Sequence, residues 1–263
     1  MHRCVLSETN IPLKESASMA VVVEAPHLSE EELFLFVYQN KETEGNHVKP
    51  EGFGLPGGTR KSEESSIQCA VRECLQETGV DPEAVAKAAG SEISWLSYQH
   101  SLLDRRRDPP YVSCKKIPEM LENREFFLDK ESINPEEQTQ TFVNIYSFRV
   151  TDWQFFPEAF RNVFEMRSAY KPEEELIIDV SPDLAEVLGI VEAMAKGGMA
   201  QEITKLALFR KSYLLGWFEE WKAYCAAKKR GERPDWSRKG EFYTSHILRI
   251  MNLFGKSGPG RPR

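Results

Sequence analysis

Glu73 and Glu77 are the residues whose type and spacing first suggest chemistry. They lie four apart where Ile67, Ala70, Val71, Cys74 and Thr78 recur at helical period, so both carboxylates project from one face about one turn apart. Taken alone, an acidic pair of this kind is usually a solvated helix face. Held together, two anions call for a cation, and oxygen donors suit Mg²⁺ or Mn²⁺, which prefer a few carboxylates, water and substrate phosphates to an all-protein cage. The implied substrate carries phosphates. Gly57-Gly58, just ahead, permits close backbone approach, so the main-chain carbonyl of Gly57 is a candidate further ligand.

The elements that must position these groups can be read on either side. Ser16 to Ala25 and Leu33 to Gln39 are β-rich runs that read as neighbouring strands. The acidic pair belongs to a helix expected over about Ser62 to Thr78, with Ser62 as N-cap, Glu63 and Glu64 in the first turn and Gly79 as the stop. Glu92 to Leu102, Thr141 to Val150 and Glu175 to Val180 are the next strands, and a long polar connection with Arg105 to Arg107 separates the first two. Ser181-Pro182 starts a further helix. Beyond it the pattern reads as helical over about 183–196, 199–228 and 240–254. Residues 255–263 are expected to be disordered.

Composition bounds the rest. The chain has 263 residues, 41% of them hydrophobic, enough for one sizeable core plus an extension. The formal net charge of -7 is uneven, because ten Lys and Arg fall in 226–263 against Glu232, Asp235 and Glu241. Five scattered cysteines without CxxC spacing fit free thiols in a reducing compartment, and no apolar run has the length of a secretion signal or membrane span. A cytoplasmic protein without membrane contact is therefore expected.

Gly58, five residues, Glu64, seven residues, then Arg72-Glu73-Cys74-Leu75-Gln76-Glu77-Thr78-Gly79-Val80 resembles the Nudix box, GX5EX7REUXEEXGU with U apolar. Leu55-Pro56-Gly57 ahead of it is also typical. One fixed position departs, since Gln76 stands where the first Glu of the EE pair belongs. The box is short, but the flanking strand pattern extends the resemblance over about 16–180; residues 181–263 gain nothing from it.

The resemblance implies an α/β fold, a Nudix-type α/β/α sandwich with a mixed sheet, to which the chain adds a helical C-terminal extension. The expected division is an arm at 1–15, the Nudix domain at 16–180, the extension at 181–254 and a basic tail at 255–263. It also implies a Mg²⁺- or Mn²⁺-dependent hydrolase in which box glutamates hold the metal, the arginine orients a glutamate, and a water attacks one phosphorus of a pyrophosphate. The metal neutralises pyrophosphate charge and acidifies the water, which a carboxylate helps deprotonate. By position the catalytic group is Arg72, Glu73 and Glu77, and the metal ligands are Gly57, Glu73, Gln76 and Glu77. The general base varies in this family; Glu173, Glu174 and Glu175 are candidates, with Glu174 taken as the catalytic one. Gln76 can still coordinate through its amide oxygen but brings no charge, so weaker binding of one metal is expected.

On the substrate side stand Gly58, Glu64, Tyr98 and Arg106. Tyr98 lies where a tyrosine resembles that of the dinucleoside-polyphosphate group, although Trp95 and Tyr98 within a strand fit sheet packing better. Arg105 to Arg107, with Lys115 and Lys116, offer donors to phosphate oxygens, against the plainer reading of a solvated loop. The proline that marks ADP-ribose hydrolases near Tyr98 is missing. Gly255-Lys256-Ser257 is rejected as a P-loop because Ile250 replaces its first glycine, and the five histidines make no ligand pair.

The reading is thus a divalent-metal-dependent hydrolase of a pyrophosphate linkage in a nucleoside diphosphate derivative: a dinucleoside polyphosphate, an ADP-ribose-like compound or a nucleotide sugar. The alternative is a catalytically weakened Nudix-fold module that senses a nucleotide or associates with nucleic acid. The expected partner is a nucleotide-derived small molecule. The extension packs on the domain or makes a homodimer, and the aromatic residues among its basic ones argue for helix packing over nucleic-acid binding.

Overall fold

The computed structural model describes residues 3–4, 13–40, 42–44, 47–49, 51–104, 111–113, 126–127, 138–171, 174–191, 202–238, 240–243, 246–247, 250–251 and 254. Nine strands form one mixed sheet: β1 Leu13–Val23, β2 Leu33–Gln39, β3 Gly52–Gly54, β4 Gly57–Thr59, β5 Ser94–Asp104, β6 Tyr111–Ser113, β7 Gln138–Val150, β8 Leu176–Asp179 and β9 Ile203–Arg210. Their order is β8-β9-β2-β1-β7-β5-β6, with β3 on β2 and β4 on β1. Among the described strands only β1 and β7 run parallel, paired from Leu13↔Gln140 to Val23↔Val150. The helices with defined bounds among the described residues are α1 Ser66–Thr78, α2 Pro82–Ala88, α3 Glu158–Tyr170, α4 Pro182–Leu188 and α5 Lys211–Lys229.

Strand alternation explains the layering. On β1, Ala17, Met19, Val21 and Val23 pack with Cys69, Ala70 and Cys74 of α1 and with Phe160 and Phe164 of α3. Ala20 and Val22 face the other way, into a cluster with Phe34, Phe36, Phe209 and, from α5, Leu214 and Trp217. Helices therefore cover both faces, giving the α/β/α sandwich.

Several boundaries differ from the sequence reading. The N-cap of α1 is Ser65 rather than Ser62, because Ser65 and Gln68 form a reciprocal capping box; Glu63 and Glu64 precede the helix instead of filling its first turn. Gly79 does end it, at φ 72. The larger correction concerns 199–228, read as continuous helix. Ile203–Arg210 is a strand between β2 and β8, and only from Lys211 is the segment helical. Leu206 and Leu208 are buried in one core, Ala207 and Phe209 in the other, so this central strand has no polar face and its apolar run also fits a helix pattern. α4 stops at Leu188 because Gly189 takes φ 72, while 192–200 and the tail 255–263 lie outside the described residues. Residues 240–243 are turn and bridge, with helix beginning later.

Candidate functional site

β1, β4 and α1 build the site. β4 pairs with β1 through Gly57↔Ser18 and Gly58↔Ala17, which brings the two glycines beneath α1. A Cβ on Gly57 would lie 2.2 Å from Ser18 Oγ and 2.4 Å from the Ala17 carbonyl, so only glycine allows this approach. α1 docks through Cys69, Ala70 and Cys74, which turns Glu73 and Glu77 onto the turn.

Both carboxylates are buried, Glu73 at 6% exposure and Glu77 at 1%, which removes the solvated-face reading. Buried charges need partners, and these are present. The Gly57 N–H donates to Glu77 Oε2 at 2.8 Å and Gln39 Nε2 to Oε1 at 3.0 Å. Glu73 rests over Gly58, where a Cβ would lie 2.5 Å from its Cδ and Oε1. Successive residues of the turn thus receive carboxylates that are one helical turn apart.

Arg72 ties the group together. Its Nε and Nη2 donate to the two oxygens of Glu64 at 2.9 and 2.7 Å, a forked pair. Nη1 donates to Glu73 Oε1 at 2.7 Å and to Gln76 Oε1 at 2.9 Å, and Nη2 also reaches the Thr59 carbonyl at 3.2 Å. Arg72's bonds hold the Glu64 carboxyl down at about 2, and they raise Arg72's own affinity for its proton. Burial, with Glu64 and Glu73 nearby, pushes the Cys69 thiol up to about 12.

The donors suit a hard cation: Glu73, Glu77 and the Gln76 amide all offer oxygen atoms. Among the described residues no group of three or more His, Cys, Asp or Glu is arranged around a metal. Two carboxylates still fit Mg²⁺ or Mn²⁺, because such ions commonly keep waters and take substrate phosphates as ligands. The snug contact of Glu73 with Gly58 shows a carboxylate guided to one place.

The other expected residues fare differently. Glu174 is not part of this group. Its carboxylate is paired with Arg167 and Lys171, and its carbonyl accepts from Arg210. Arg210 pairs with Leu33 and Ile203 with Gln39, so Glu174 lies at the opposite end of β2 from Glu77's partner, about 20 Å along the strand. Glu175 is at that same far end against Arg210, with its carboxyl raised by burial; Glu173 lies outside the described residues. Tyr98 pairs with Asn144, which pairs with Ala17 opposite Gly58, so it shares a cross-sheet row with the turn. Arg106 falls outside the described residues. Gln39 was missed; its only signal was an amide ending the apolar run LFLFVYQ.

Fold and box together define a Nudix-type α/β/α domain. The NUDIX domain family model matches residues 16–159, more than half of the chain, and the chain belongs to that family. No curated protein matches it. Solved structures that it resembles include the NUDIX domain of Shewanella oneidensis NrtR complexed with ADP ribose, at 10% identity and TM-score 0.41, covering 97% of this chain and 94% of that one. A NUDIX hydrolase from Nitrosomonas europaea is 13% identical at TM-score 0.35, with 93% and 90% covered. A bifunctional NMN adenylyltransferase/ADP ribose pyrophosphatase from Francisella tularensis, complexed with AMP and Mn, is 17% identical at TM-score 0.31, with 56% of this chain and 30% of that one covered. These overlaps are loose, and membership rests on the family match.

Proposed function

We propose that this protein is a Mg²⁺- or Mn²⁺-dependent hydrolase of a pyrophosphate linkage in a nucleotide derivative. The observation that carries the reading is the convergence of buried Glu73 and Glu77 on Gly58 and Gly57, with Arg72 bridging Glu64, Glu73 and Gln76. Glu73, Glu77 and Gln76 would hold the cation, which supplies neutralisation of pyrophosphate charge and activation of the attacking water. The protein's own work is positioning. Arg72 keeps Glu64 ionised and fixes one oxygen of Glu73, while the Gly57 amide and Gln39 fix both oxygens of Glu77. Among the candidates the structure describes, the box glutamates Glu64, Glu73 and Glu77 are in the group that would take the proton from water, since Glu174 and Glu175 are at the far end of β2.

The second reading, a weakened nucleotide-sensing module, is favoured by one observation. Gln76 stands where the family pattern has a glutamate, and its oxygen accepts from Arg72, which leaves the site one charge short. A panel of ADP-ribose, diadenosine polyphosphates, nucleotide sugars and nucleoside triphosphates, with Mg²⁺ or Mn²⁺ and products identified by mass, separates the two. Metal-dependent release of two phosphate-bearing products supports the hydrolase, and tight binding without turnover supports the module.

A further inference from the structure

Residues 240–243 and 246 lie outside the family-matched span 16–159, yet they touch the strand that leads into the box. Phe53 on β3 is bracketed by them: its N–H donates to the Glu241 carbonyl at 2.8 Å, and its carbonyl accepts from the Tyr243 N–H at 2.8 Å. The ring of Tyr243 lies on Gly54, where a Cβ would be 2.5 Å from it, and His246 Nδ1 would be 3.1 Å away. Two side chains then reach further. His246 Nδ1 accepts the Leu55 N–H at 2.9 Å, two residues ahead of Gly57. Tyr243 Oη donates to Gln39 Oε1 at 3.3 Å, and the same amide donates through Nε2 to Glu77. An ionised Glu77 can only accept, so the amide must turn its nitrogen to Glu77 and its oxygen outward, where a hydroxyl donor completes it.

The segment is itself anchored on α5. Arg238 Nε donates to Glu241 Oε2 at 2.7 Å, its guanidinium lies 4.4 Å from the centre of the Tyr213 ring, and the Tyr213 hydroxyl bonds to Glu241. Phe242 packs with Phe36, Phe53, Phe209 and Trp217 in the second core.

We propose that Tyr243 and His246 are positioning residues for the box: the C-terminal segment clamps β3 and fixes Glu77 through Gln39, so that metal affinity depends on residues outside the family's own span. This rests on the reading of Glu77 as a metal ligand. The test is Mn²⁺ binding alone, without nucleotide, to the full chain by isothermal titration calorimetry well below the melting temperature, with melting curves on the same samples. Tyr243→Phe, which removes one oxygen, is expected to weaken Mn²⁺ binding about two- to tenfold, the equivalent of one net hydrogen bond, with little change in melting. His246→Ala should weaken it by a similar factor through the Leu55 amide. Combined with Gln39→Leu, Tyr243→Phe should add nothing further, since both cut one relay. Wild-type affinity in both Tyr243→Phe and His246→Ala, or a drop in melting temperature without loss of affinity, overturns the proposal. Glu77→Gln tells the two failures apart. If it abolishes Mn²⁺ binding while neither Tyr243→Phe nor His246→Ala weakens it, the clamp alone is wrong; if it leaves binding intact, the site reading and the clamp fall together.

Discussion

Gly58→Ala separates the chemistry of the site from the stability of the fold. The added methyl would lie 2.5 Å from Glu73 Cδ and Oε1 and 2.8 Å from Oε2, and ordinary contact lies beyond about 3.4 Å, so the carboxylate must retreat by about 1 Å. Gly58 has no positive φ, so alanine brings no backbone strain of its own. The atoms that must move are the far end of one side chain, which holds the stability loss to about 1 kcal/mol and the fall in melting temperature to about 2–4 °C for a chain of this size. Function should respond far more, because a reacting group displaced by about 1 Å loses about 100-fold in rate. The assay is kcat/KM for the best substrate of the panel at saturating Mg²⁺, beside a melting curve, with Gly216→Ala as control: nothing lies within 4 Å of a Cβ there, on α5. A folded Gly58→Ala with wild-type kcat/KM would show that Glu73 does not act where the structure places it.

Gln76→Glu restores the family's acidic residue beside Arg72, and half-maximal activity should then require several-fold less Mg²⁺ or Mn²⁺; an unchanged metal dependence removes any ligand role for this position. The Glu64 carboxyl is depressed in the fold, so its pairing with Arg72 stabilises the protein above its ordinary 4.5 and is lost as pH falls from there towards about 2. Allowing for solvent screening at this partly exposed pair, the stability gap between wild type and Glu64→Gln in urea should shrink by about 1–2 kcal/mol from pH 7 to pH 3, and a constant gap would contradict the assignment. Gly79→Ala should strike the fold instead, since φ is 72 and a Cβ would lie 1.8 Å from the Leu188 carbonyl; unfolding should show a loss of more than about 2 kcal/mol.

What was legible in the sequence was what is local. The box places Arg72, Glu73, Gln76 and Glu77 on one helix, and helical geometry alone brings their side chains together. The partners that hold them are not local. Gln39 is 38 residues from Glu77, His246 is 191 from Leu55 and Tyr243 is 204 from Gln39, separations at which spacing carries no signal. Glu174 is a candidate in the sequence as a carboxylate just ahead of the last strand, whereas β8 lies beyond β9 and starts at the end of β2 away from Glu77's partner. The residues of β9 also fit a helix pattern, because a strand buried on both faces has no polar alternation to reveal it. Ser65 outcompeted Ser62 as the N-cap because Gln68 could return the hydrogen bond.

In the proposed function Glu77, buried against Gly57 and Gln39, binds the metal on which hydrolysis depends. Initial rates over a Mg²⁺ and Mn²⁺ titration, for wild type and Glu77→Gln side by side, test it most directly. The expected result is no turnover without metal, saturable activation of the wild type, and loss of nearly all activity in a folded Glu77→Gln at every metal concentration. Metal-independent turnover, or full activity in that variant, would contradict it.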